Sequence, residues 1–299
     1  MSLGIELILT QLLNALCMGL IFALIAVGLS IIMGLLGIVN MAHGVFYLFG
    51  AYFTVAAVSW YPNFGLGVII AALLCSGIAL AVFFLFIRYL MGRRRPLEIM
   101  VALIGINIIC EELIRNIFGA EPKYLAIPSM LSGQVTFNFL GVTLMYPKYY
   151  LSLIIICGSL LILIYYFFHK TDLGIRGLAL IQDREIALAL GVNIAKLGTL
   201  FFAIGGAVAG ISGALAGPIF SVYPTMGIEL LGFIFVIVII GGVGSIEGTF
   251  LASLLISTIK SVGVLFASNV VVDAFIYVLL CVMLCIRPRG LKGYLGVLE

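Results

Sequence analysis

One apolar run after another, each close to the roughly 20 residues that cross a bilayer as a helix, limits what this chain can fold into. Such runs fall at residues 8–32, 36–59, 66–88, 97–118, 149–168, 199–218, 228–242, 248–266 and 270–286. Only 9% of the 299 residues are charged and 64% are hydrophobic, whereas a soluble domain carries about a quarter charged residues. The expected fold is an all-α integral membrane protein of roughly eight to nine spans. Its second span is broken by glycine, a short helix lies on the cytoplasmic side, and residues 1–299 form one domain. The first ten residues hold no positive charge and no small-residue cleavage pattern, so the first run is expected to remain as a span rather than be removed as a signal peptide.

Lys and Arg set the orientation. Arg88, Arg93, Arg94 and Arg95 follow the third run, Lys170, Arg176, Arg184 and Lys196 lie within 169–198, and Arg287, Arg289 and Lys292 lie in the tail. These segments belong in the cytoplasm. The segments 60–65 and 119–148, with no and two basic residues respectively, belong outside. Alternation puts the N-terminus outside and the C-terminus inside; a re-entrant second run would put both inside. The outer segment alternates apolar and polar residues around Val135 to Phe139, as a short hairpin or lid does.

Within the second run, residues 34–50 carry Asn40 and His43 and glycines at 34, 37, 44 and 50. An Asn and a His are expensive in hydrocarbon, and glycine weakens a helix. A broken, polar span is how many membrane proteins build a pathway; a packing segment with one satisfied Asn and one satisfied His is the alternative. Between 199 and 218, Gly206, Gly210 and Ala214 recur every fourth residue, as do Gly213 and Gly217. Such stripes let helix backbones approach closely, here more readily within the chain than between subunits. Elsewhere, Glu111 and Arg115 stand four apart and can pair on one helix, with Glu112 alongside. Lys260, Glu229 and Asp273 lie near span ends, within reach of the interface.

Several chemistries are excluded. There is no GxxxxGK[ST] for nucleotide phosphates, and the glycine-rich 241–248 lacks the Lys-Ser/Thr that would follow in a phosphate cradle. The six cysteines form no CxxC and the histidines number two, so no metal or cofactor is expected and the thiols read as buried and free. A nucleophilic site using His43 and Ser30 has no support from spacing. The small net charge of +3, without a basic patch among exposed aromatics, gives no reason to expect nucleic acid.

The loop 169–198 is the second informative stretch. Asp183 can cap a short helix that has Glu185 in its first turn and ends at Gly191. Ile186, Leu190 and the neighbouring alanines give it an apolar side, which suits docking into a groove on a soluble partner better than lying on lipid. The run Glu185-Ile186-Ala187 followed by Gly191 is similar to the loop that ABC importer permeases insert into their ATPase subunits, with Ile186 in place of one alanine. Residues 28–52, 241–256 and 287–293 resemble the permeases of branched-chain amino acid ABC importers, and the likeness covers nearly the whole chain. Its length suits the shorter of the two paralogous permeases.

The resemblance implies a non-enzymatic transport subunit of the bacterial inner membrane, among lipid. Its partners would be a homologous second permease, two cytoplasmic ATP-binding subunits and an extracytoplasmic substrate-binding protein that delivers a small-molecule substrate. It moves Asn40 and His43, with Gly37 and Gly44, toward a substrate pathway, and Asp183, Arg184, Glu185, Ala187 and Gly191 toward ATPase coupling. In many relatives an acidic residue follows the NxAHG run. Here Val45 stands there, so urea, short amides and other amino acids stay open beside Leu, Ile and Val. A stand-alone secondary transporter or channel is the alternative from another class.

Overall fold

A computed structural model describes residues 2–91, 96–139 and 142–293; Arg93, Arg94 and Arg95 lie outside them. The order is α1 (Ser2–Leu36), α2 (His43–Trp60), α3 (Phe64–Val82), a π-helical turn (Phe83–Ile87), α4 (Arg88–Met91) and α5 (Pro96–Phe118). A hairpin follows, β1 (Gln134–Phe139) and β2 (Val142–Pro147), then α6 (Lys148–Lys170), α7 (Asp172–Gln182), α8 (Arg184–Ala189), α9 (Ile194–Ala216), α10 (Met226–Gly241), α11 (Ile246–Gly263) and α12 (Asn269–Ile286).

Among the described residues, six helices are long and apolar enough to cross a membrane: Gly4–Leu36, Phe64–Leu90, Lys148–Lys170, Ile194–Ala216, Ile246–Gly263 and Asn269–Ile286. The other three apolar runs also form helices, and each falls short for its own reason. α2 is 18 residues long but carries His43, Tyr47, Tyr52, Thr54 and Ser59, α5 carries Glu98, Glu111, Glu112 and Arg115, and α10 has 16 residues.

The bundle has two distinct ends. At one, the Tyr146 hydroxyl of β2 donates to Asn14 Oδ1 (3.0 Å), and Lys123 and Val222 exchange backbone hydrogen bonds of 2.8 and 2.9 Å. The N-terminal part of α1 therefore shares this end with 119–148, as alternation from an outer N-terminus requires. The hairpin pairs Gln134 with Pro147 through Phe139 with Val142, so the alternating segment is strand. At the other end, a Cβ on Gly34 would come 2.6 Å from the Gly244 Cα and 3.2 Å from Ile181 of α7. The tail returns here too: the Leu291 and Lys292 N–H groups donate to the Ile240 and Gly241 carbonyls (2.8 and 3.1 Å). Parts of the three stretches that carry the family likeness, Gly34, Gly241 to Gly244 and Leu291 with Lys292, thus meet at the end that Lys and Arg assign to the cytoplasm. Gly242 (φ +100°) and Gly244 (φ +82°) make the tight turn between α10 and α11 in a region that side chains avoid.

Ser30 pins that turn. Its buried hydroxyl accepts from the Gly244 N–H (3.0 Å) and from the Thr249 hydroxyl (3.1 Å). Ser30→Ala strands a buried N–H, and a loss of about 1–3 kcal/mol is expected, to be read as a lower thermal unfolding midpoint in detergent.

α9 runs through the middle of the packing. A Cβ on Gly206 would meet Ala79 of α3, one on Gly210 would meet Cys75, and one on Gly213 would meet the Tyr47 carbonyl of α2. Gly217 lies past the end of α9, where a Cβ would come 3.2 Å from Leu125 of the outer segment.

Three expectations change. Gly34, Gly44 and Gly50 do not break helices; each sits where a neighbouring backbone leaves no room for a Cβ. The thiols are not all buried: the six are free, yet Cys281 and Cys285 are exposed on α12 and Cys110 is half-buried. Lys260 and Asp273 do not reach separately for the interface but pair across α11 and α12 at 2.8 Å. The local pairs form as the spacing predicts, Arg115 meeting Glu111 at 3.0 Å and Glu112 at 3.1 Å. Because Arg115 is 42% exposed, Arg115→Ala is expected to cost no more than about 1 kcal/mol, with an unfolding midpoint close to wild type.

Candidate functional site

The break in the second run is specific. α1 ends at Leu36, and Gly37 (φ +65°) takes the left-handed conformation that terminates it, its N–H donating to the Met33 carbonyl (2.9 Å). Residues 37–42 are not helical, and α2 starts at His43. That start lies well inside the bundle. His43 Nε2 is 3.1 Å from the Ile25 carbonyl, about 17 Å of helix rise above Leu36. A carbonyl only accepts, so Nε2 carries the proton and Nδ1 is left as an acceptor.

Asn40 shapes the entry to α2. Its side-chain oxygen accepts from the Ala42 N–H (3.1 Å), and its carbonyl from the His43 N–H (3.2 Å). Asn107 of α5 donates to the Met41 carbonyl at 3.0 Å, holding the non-helical stretch from the far side. Asn40 and His43 are fully buried, and Asn40 Nδ2 and His43 Nδ1 have no hydrogen-bond partner among the described residues. Two orphaned buried polar atoms in one short stretch go against the general rule that such atoms are satisfied. Gly44 follows at once, where a Cβ would meet the Gly227 carbonyl of α10. Val45 is buried at 2% exposure. Ser30 serves Gly244 and Thr249 rather than His43, so no Ser–His pair forms.

The cytoplasmic helix is as well defined. Asp183 caps α8, accepting from the Ile186 N–H at 2.9 Å. At the other end Gly191 (φ +82°) donates to Leu188 (2.9 Å) and Val192 to Ala187 (3.0 Å). This is the paired closure that calls for glycine after the helix. Ala187 is buried, while Ile186, Leu188 and Leu190 are 59%, 47% and 79% exposed, leaving an apolar surface outward. A second helix, α7, precedes α8 and was not expected; Thr171 caps it, accepting from the Gly174 N–H (3.2 Å). Through α7 and α8 the loop reaches the broken span. Ile181 lies against Gly34 and Gly244, and a Cβ on Gly37 would stand 3.9 Å from the Arg184 Nη1. Sequence reasoning missed Asn107 and weighed Ser30 only as a nucleophile; an Asn in the middle of the apolar stretch 99–110 was the available signal for the first.

A helical bundle in the membrane, with one span broken at depth and a capped helix whose Arg184 approaches the break, has the build of a multi-pass transport permease. Comparison with known proteins gives the family. The chain belongs to the permease components of branched-chain amino acid transport systems, whose family model matches residues 11–285. It is 30% identical to the high-affinity branched-chain amino acid transport system permease protein BraD of Pseudomonas aeruginosa over 95% of each chain. It is 26% identical to the permease protein LivH of Escherichia coli, again over 95% of each. The probable LivH of Methanocaldococcus jannaschii is 23% identical over 91% of this chain and 89% of its own. No solved structure matches the chain significantly. The protein is accordingly a multi-pass subunit of the cytoplasmic membrane, a transport component and not an enzyme.

Proposed function

We propose that the chain is one domain that forms half of the translocation pathway of an ABC importer for Leu, Ile and Val, paired with a homologous second permease. Two cytoplasmic ATP-binding subunits work below and an extracytoplasmic binding protein delivers the solute above. The observation that carries this reading is α8. It is a helix capped at both ends, it turns Ile186, Leu188 and Leu190 outward, and its Arg184 approaches Gly37 of the broken span. Exposed apolar side chains on a short, rigidly capped helix suit a groove on a soluble subunit.

The mechanism follows from the same contacts. Closure of the ATPases moves α8, with Asp183, Arg184, Glu185, Ala187 and Gly191 setting its shape and its docking face. That movement passes to Gly37 through Arg184, and to Gly34 and Gly244 through Ile181. The stretch 37–42 has no helical hydrogen-bond ladder to resist a shift. Its Asn40 and His43, each with an orphaned polar atom, are what a solute or water meets when the pathway opens. Affinity resides mainly in the binding protein, and the pathway need only avoid trapping the solute.

Affinity purification of the tagged chain from its own cells tests the assembly. A second permease and two ATPases should co-purify, and leucine with its binding protein should stimulate ATP hydrolysis. Purification without any ATPase, transport being retained, contradicts the reading. Stimulation by urea alone moves the substrate to the urea class.

A further inference from the structure

A cavity of about 460 Å³ opens between α1, α2, α10 and α11 at the outer end of the bundle. It lies beside the point where α2 begins, since Tyr47 lines it one turn after His43. Glu229 and Lys260 stand on its wall without pairing to each other. Glu229 accepts from the Tyr223 and Thr225 hydroxyls (2.7 and 2.6 Å), and no Lys or Arg pairs with it among the described residues. Lys260 gives one hydrogen bond to Asp273 (2.8 Å) and lies 4.9 Å from the Phe233 ring centroid, which leaves other N–H donors of its three free. Ser257, one turn below Lys260, also lines the cavity; it is 1% exposed and its hydroxyl has no partner among the described residues. Met18, Phe22 and Leu230 supply an apolar wall.

From this arrangement we infer that the cavity is a subsite for a zwitterionic α-amino acid with an apolar side chain. The inference rests on the transport reading above and narrows its substrate class. The ammonium group of the solute goes to Glu229, its carboxylate to Lys260 and Ser257, and its side chain to Met18, Phe22 and Leu230. Glu229, which no cation answers among the described residues, and Lys260, which spends one donor on Asp273, together fit a solute that carries both signs. Urea and short amides are neutral and offer Glu229 no counter-charge. The volume is within the roughly 300–1,000 Å³ of small-molecule sites.

The test uses the assembled importer in proteoliposomes. Ser261→Cys, at the same cavity, is modified by a methanethiosulfonate reagent and quantified at that residue by mass spectrometry. Leucine at millimolar concentration should slow modification by a factor on the order of ten, and urea should not. Glu229→Gln in that background should remove the protection and Glu229→Asp should keep it. If Ser261→Cys fails to assemble, Ser221→Cys, also on the cavity wall, takes its place. Equal protection by urea, or protection that survives Glu229→Gln, overturns the assignment. Leucine uptake with no leucine protection overturns the subsite alone and leaves the transport reading standing. Absence of leucine uptake in the unmodified importer counts against the transport reading instead.

Discussion

Gly50→Leu is expected to prevent recovery of a monodisperse protein from detergent, or at the least to lower its unfolding midpoint by roughly 5–10 °C. A Cβ on Gly50 would overlap the carbonyl oxygen, the Cα and the carbonyl carbon of Gly210. All three are backbone atoms, so no side chain can swing aside and α2 must move off α9. One turn away, Gly213 lies equally close to the Tyr47 carbonyl, so the whole contact separates rather than one point. In lipid, helix association depends on such packing more than on apolar burial, which makes the loss hard to offset. Overpacking usually costs about 1–3 kcal/mol, and a backbone-to-backbone contact belongs at the top of that range. Gly77→Leu is the matched control, since a Cβ there meets nothing within 4 Å; its yield and midpoint should stay near wild type.

The second large effect is on coupling. Gly191→Trp should insert and fold, yet lose leucine uptake by a factor on the order of ten or more while ATP hydrolysis continues. Gly191 has open space around it, so the bulk of Trp is tolerated within the chain. Its φ of +82° makes any other residue strained by about 1–3 kcal/mol, which loosens the closure of α8. The indole then projects from the end of the helix whose apolar side is offered to the ATPases. Uptake and ATP hydrolysis measured together in proteoliposomes decide it: uptake at the wild-type level removes α8 from the coupling role. A parallel fall in assembly and hydrolysis would show that Gly191 serves docking itself.

Much of this architecture was legible because a bilayer sets the length of a spanning helix, and apolar run length survives in a single sequence. The caps of α8 were legible for a similar local reason: Asp183 and Gly191 act on residues three or four positions away. Glycines were harder. The letter alone does not say whether the missing Cβ frees a dihedral, as at Gly37, or yields space to another backbone, as at Gly34, Gly44 and Gly50. Long-range polar contacts were not legible at all. Ser30 meets Gly244 across 214 residues, and Lys260 meets Asp273 only because the turn after α11 folds back. The outer cavity belongs to the same class. Its residues come from four helices and the 217–225 segment, and nothing in the local pattern of Glu229 or Ser257 links them.

This chain is expected to carry amino acids only as part of an ATP-driven assembly. The most direct measurement reconstitutes it with its paired permease, the two ATP-binding subunits and the binding protein in liposomes, and follows labelled leucine. Uptake should require both ATP and the binding protein, and should stop when the ATPases are left out. Leucine uptake by this chain without any ATPase would contradict that expectation.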